Sequence, residues 1–235
     1  MKRPPLLATA VVAVVTSLGV LSGCSLPGTT PVGSAGATHK VVDPERAFPS
    51  EFTADGTFQS HINIGNVDFV YTLWPTKATP RTHEWFARGR KHFSLSLTAY
   101  DLDRGLRDKF ATKRMVYLQD ISVTSSTRRP HGRSQSPYHL DTQAWRVTFD
   151  PEPVRTVHGM LITSPKGAFD LRNQTIHPVA VGTVGMVLTF RATVMIERSP
   201  GSAAYTRRVV RQRVPITIFP GKQRTRSAPI PIDAN

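Results

Sequence analysis

Thirty basic side chains, eight histidines and one cysteine carry most of the chemistry open to this 235-residue chain. Twenty-two of the thirty are arginines, whose planar guanidinium pairs bidentately with phosphate or carboxylate. They come in separate groups: Arg88, Arg90 and Lys91; Arg128, Arg129 and Arg133; Arg207, Arg208, Arg211 and Arg213. The histidines are scattered, with no pair at helical i, i+4 spacing. His131, His139 and His177, with Asp141, are the one set that could approach a metal, but such residues are more often surface or hydrogen-bonded groups. Asp101 and Asp103 begin a calcium-loop pattern, yet an EF-hand needs glutamate where Thr112 stands. A turn with a helix cap is expected there, and no metal site is predicted. No GxSxG elbow, HExxH, P-loop, GxGxxG or SxxK motif occurs, so no catalytic residue is assigned.

The single cysteine, Cys24, follows an uncharged run from Leu6 to Val20 that is itself preceded by Lys2 and Arg3. A charged start and an apolar stretch too short for a comfortable membrane span read as a secretory signal. Leu21-Ser22-Gly23-Cys24 resembles a bacterial lipobox, an aliphatic residue and two small ones before the cysteine. The resemblance covers the first two dozen residues only. It implies a diacylglycerol on the Cys24 sulfur, cleavage between Gly23 and Cys24, and often acylation (palmitate, for example) of the new amino terminus. Two chains suffice for stable anchoring at about 0.8 kcal/mol per buried CH₂. With Cys24 so used, the chain keeps no thiol for a disulfide, a zinc site or a nucleophile.

The formal net charge is +14, and removing residues 1–23 takes Lys2 and Arg3 but no acid, leaving +12. Such an excess favours anionic surroundings such as headgroups or envelope polymers. A GC-rich genome, which writes arginine readily, explains the same composition, and the two readings stay open. The basic groups are not interleaved with aromatics, and no nucleic-acid-binding spacing appears, so nucleic acid is not expected as a partner.

The elements that must position these residues begin after a tether. Residues 24–50 are rich in Gly, Pro, Ser and Thr; a coil over 25–47 has a reach of about 26 Å. From about Phe52, apolar and polar residues alternate with period two, the mark of half-buried strands. Val67, Phe69, Tyr71 and Leu73 form one such face, and Phe93 through Ala99 another. Met115 through Val123 and Trp145, Val147 and Phe149 repeat the pattern. Val184 through Ile196 make the longest face, with Arg191 and Glu197 on the other side. After a turn at 199–202, Val210, Val214, Ile216 and Ile218 point inward and Arg207, Arg211 and Arg213 outward, while Pro215 predicts an edge or a bulge. One or two helical turns are expected over 103–110. Residues 125–142 and 164–183 read as long loops, and 221–235 as a polar tail. The prediction is an all-β, immunoglobulin-like two-sheet sandwich over 51–220, behind a signal peptide (1–23) and tether.

These observations lead to a membrane-anchored lipoprotein on the extracytoplasmic face, with a non-catalytic sandwich that binds an envelope protein or anionic polymer. No cofactor is expected beyond the acyl groups on Cys24. Arg191, Arg207, Arg211 and Arg213 are the candidate anion-binding residues. The alternative is a lipid or small-molecule carrier or sensor; an envelope hydrolase ranks below both. The combination of lipobox, Thr/Pro/Gly tether and abundant arginine is similar to actinobacterial lipoproteins, mycobacterial ones included, some of which are encoded by prophages.

Overall fold

The computed structural model describes residue 48, residues 50–76 and residues 82–221. Gly23, Cys24, the signal, most of the tether and residues 222–235 lie outside the described residues. The chain folds as an all-β sandwich of two sheets. Among the described residues no helix is long and apolar enough to cross a membrane.

A single helical turn, α1 (Glu51–Asp55), precedes the strands; the Ser50 hydroxyl accepts from the Thr53 N–H at 3.2 Å and caps it. The first sheet contains β1 (Phe58–Ile64), β2 (Val67–Pro75), β4 (Lys91–Asp101) and β9 (Phe169–Ile176), in the order β1-β2-β4-β9. The second contains β3 (Trp85–Phe86), β5 (Val116–Arg128), β6 (His139–Gln143), β7 (Arg155–Thr156), β8 (Gly159–Leu161), β10 (Gly185–Glu197) and β11 (Tyr205–Phe219). Its order is β3-β11-β10-β5-β8-β7, and β6 adds to β5.

The alternation read from the sequence decides which faces meet. Val67, Phe69, Tyr71 and Leu73 of β2 are buried, as are Phe93, Leu95, Leu97 and Ala99 of β4. From the other sheet, Met186, Leu188, Phe190, Ala192 and Val194 of β10 are fully buried against them. Phe190 joins the halves, with ring centroids 6.2 Å from Tyr71 and 6.4 Å from Phe93. At about 25 cal/mol per Å² of apolar surface, this seam is where most of the fold's stabilisation arises.

Three expectations change. The AWRVTFD segment is not a strand: β6 ends at Gln143 and Ala144–Arg146 form a 3-10 turn, burying Ala144. Within the two segments read as long loops lie β6, the end of β5 and β9. β9 escaped notice because its register breaks between Phe93 and Leu95 of the partner and Asn173 has φ 56°, which destroys period two. Residues 103–110 form turns, followed by a 3-10 turn at Phe110–Thr112, in place of an α-helix. The reason is local pairing. Asp101 accepts from the Asp103 and Arg114 N–H groups and pairs with the Arg114 guanidinium at 2.7 Å, so the segment folds back as a turn.

Pro215 lies where its missing N–H matters least. β11 pairs with β10 along its length but with β3 only at Ile218 and Phe219. Thr217 donates its N–H away from β10, to Thr53 Oγ1, and Pro215, two residues earlier, has its nitrogen on that same open edge.

Candidate functional site

The outer face of the seven-stranded sheet is set by β11, β10, β5 and β6 in register. Arg211 stands directly opposite Arg191, which is opposite Ser122, which is opposite Asp141. One step along, Arg213, Thr189, Thr124 and His139 form the next row. On the other side lie Val209, Thr193, Asp120 and Gln143, and then Arg207 beside Met195. All four predicted arginines are exposed, and they share this face. Val210, Val214, Ile216 and Ile218 are buried behind them.

Electrostatically, this arrangement is open. Ion pairs between described residues join Arg114 to Asp101 and Asp103, and Arg172 to Asp170, and the His61 ring hydrogen-bonds Asp68. None of them uses an arginine of this face. Asp141 is two strands from Arg191, roughly 10 Å at about 4.8 Å per strand. Glu197, read from the sequence as lying on the same outer side as Arg191, is buried and accepts the Met115 N–H at 2.9 Å. Like charges directly opposite on neighbouring strands destabilise a sheet by up to about 1 kcal/mol. An anion between Arg191 and Arg211 relieves that repulsion.

Below the arginines lies a surface cleft of about 740 Å³, which the sequence reading did not anticipate. Its floor is made by a β-bulge. Thr193 pairs with Asp120 but Val194 pairs with Leu118, so Gln119 is the extra residue and both Gln119 and Asp120 line the cleft. The β7–β8 hairpin forms one wall. It sits tightly on β5 because position 159 is glycine: a Cβ there would meet the Leu118 carbonyl oxygen at 2.3 Å, and its φ is +115°. The rings of Tyr117, Tyr205 and His158 brace the hairpin, His158 lying 4.0 Å from Tyr205. Burial, and then the nearby Glu197 carboxylate, raise the Tyr205 phenol above its ordinary value, so it stays protonated.

Trp145 also lines the cleft, and it carries arginine on its ring. Arg155 lies 4.2 Å from the ring centroid and Arg146 5.1 Å. Arg172 stacks in the same way over Phe149, at 4.0 Å. These stacked arginines belong to none of the basic groups picked out in the sequence; they stand singly in the chain, and Arg155 and Arg172 meet their aromatics only in space. The pairs 145/155 and 149/172 lie ten or more positions apart, so no local pattern announces them. The only signal was Trp145 beside Arg146, ahead of the turn-forming DPEP at 150–153.

Among the described residues, His131, His139, His177 and Asp141 do not form a group able to hold a metal, nor does any other set of three. No known family model matches the chain, and no curated protein does.

Proposed function

We propose that the protein is a lipid-anchored, extracytoplasmic binding module, without a catalytic role, that holds an anionic envelope polymer on the outer face of its seven-stranded sheet. The observation that carries this reading is Arg191 directly opposite Arg211, with Arg207 and Arg213 on the same face and, among the described residues, no acid paired to any of them. A repeating polyanion supplies counter-charge at several positions at once. Between the sheets, Phe69, Tyr71, Phe93 and Phe190 fill the space, which speaks against an internal lipid-carrying cavity.

Anchoring and binding are tested separately. Cys24→Ala should abolish incorporation of labelled palmitate; equal label in mutant and wild type would remove the anchor from the proposal. For binding, the full chain in detergent micelles is titrated with polygalacturonate and polyphosphate, with neutral dextran as control. Affinity for the polyanions should fall at least tenfold between 0.1 M and 1 M salt, as the Debye length drops from about 10 Å to about 3 Å. Replacing Arg207, Arg211 and Arg213 by serine should weaken binding at least tenfold at 0.1 M. Unchanged binding would leave the arginines as mere protection of an open sheet edge.

A further inference from the structure

The cleft beside Trp145 contains more than charge. The Arg155 guanidinium carbon lies over the indole of Trp145, 4.2 Å from the ring centroid, which holds the group at the cleft. Arg207 enters from β11, and neither guanidinium has an ion-pair partner among the described residues. Around them the bulge presents the Gln119 amide and the Asp120 carboxylate, and Gln143 adds a second amide. Amides and a carboxylate together offer both donors and acceptors, as vicinal hydroxyls require. Val157, 91% exposed at the hairpin tip, gives an aliphatic surface for a ring's C–H face. The volume falls within the range of about 300–1,000 Å³ common to small-ligand sites.

We infer that this cleft is a subsite for one sugar unit bearing a single phosphate or carboxylate. Arg155 and Arg207 take the anionic group, Asp120 and the two glutamines take hydroxyls, and Val157 covers the ring. The inference deepens the polymer reading above and rests on it: the arginines of β11 and β10 hold the polymer by charge, and the cleft recognises one residue of it. Two cations against one acid exclude a cationic ligand. A neutral sugar would leave Arg155 and Arg207 without the counter-charge they are placed to meet.

The test is calorimetric titration of the full chain in detergent micelles with glucose 1-phosphate, glucuronate, methyl glucoside and inorganic phosphate. One or both acidic sugars should bind at least tenfold more tightly than the neutral glucoside and than inorganic phosphate. Binding of only one assigns the anion as phosphate or carboxylate. Arg155→Met and Arg207→Met should each weaken that binding at least fivefold. Arg155 is exposed, and an unchanged far-UV spectrum and urea midpoint check that its replacement leaves the fold intact. Arg213→Ser, outside the cleft, should change it less than twofold. Acidic sugars that bind no better than the neutral glucoside or free phosphate overturn the inference, as does full affinity in Arg155→Met. If they fail while the polyanion still depends on Arg211 and Arg213, the cleft falls and the polymer reading stands. If they bind but the polyanion is indifferent to those arginines, the cleft stands and the polymer reading falls.

Discussion

The two sheets of the sandwich handle charge in opposite ways. The strands of the four-stranded sheet carry two basic residues, Lys91 and Arg172; those of the seven-stranded sheet carry seven, all arginine. On the first sheet the basic side chains find partners within the fold. His61 meets Asp68 at 2.7 Å, Arg172 meets Asp170 at 3.2 Å, and Lys91 is buried with its ammonium donating to the carbonyls of Ala87, Gly89 and His177. On the second, Arg191, Arg207, Arg211 and Arg213 point to solvent without ion-pair partners among the described residues. A genome that simply favours arginine would spread it over both sheets. Concentration on one sheet is the distribution that the proposed polyanion binding would use.

The largest expected effect lies where the two sheets meet. Phe190 of β10 is fully buried against Tyr71 and Phe93 of the opposite sheet. Phe190→Ala should cost about 3–5 kcal/mol, from lost transfer energy and the cavity left behind. Urea denaturation with an unchanged m-value measures it. A loss under about 1 kcal/mol would mean that the sheets do not share this seam.

The contrast between a buried and a displayed cation is sharpened by pH. Burial pushes the Lys91 ammonium down to about 8, from the 10.5 of an unfolded chain. Between those values the unfolded chain binds a proton that the folded one does not, so stability rises with pH. Burial raises the phenols of Tyr71 and Tyr138, which therefore oppose the rise from about pH 10, where tyrosines of the unfolded chain ionise. The readable window is pH 8 to 10. The urea midpoint should climb there in the wild type and stay flatter in Lys91→Met. The same slope in both would place the titrating group elsewhere.

Next comes position against bulk charge. Arg207, Arg211 and Arg213 are replaced by serine while Thr72, Ser96 and Thr98, on the outer face of the first sheet, become arginine. Net charge is unchanged. Polyanion affinity should still drop at least tenfold, about 1.4 kcal/mol. Recovery of wild-type affinity would show that charge alone attracts the partner and that the face does not matter.

How much of this was legible in the sequence follows from the kind of signal involved. Period two was visible wherever one face is buried and unbroken, as in β2, β4 and β10, and so the outward arginines of β11 were placed on their correct side. It failed at β9, where the bulge separates the buried Leu171 and Ile176 by five positions, and at β6, whose residues are at most half buried. The cleft was hidden for a different reason. Gln119 and Asp120 reach it through a register shift, and Arg155 finds Trp145 by the folding back of a hairpin. Neither event leaves a local pattern. Glu197 also misled, because a residue in phase with Arg191 is drawn under the sheet's end by the Met115 N–H.

The smallest effect concerns a polar group inside the seam. Tyr71 is buried on the inner face of β2, and its hydroxyl has no hydrogen-bond partner among the described residues. A hydroxyl removed from water without a partner costs about 1–3 kcal/mol in protein mutational data, although the ring that carries it packs against Phe190. Tyr71→Phe keeps the ring and deletes the oxygen, so the desolvation cost disappears while the aromatic contact remains. Stability should stay level or rise by up to about 1 kcal/mol. The change should also remove Tyr71's share of the stability loss above pH 10, since the raised phenol no longer exists. A destabilisation greater than about 1 kcal/mol would show that the hydroxyl is satisfied in the folded protein. The space between the sheets would then hold a polar partner, and the two halves would meet through a hydrogen bond as well as through aromatic packing.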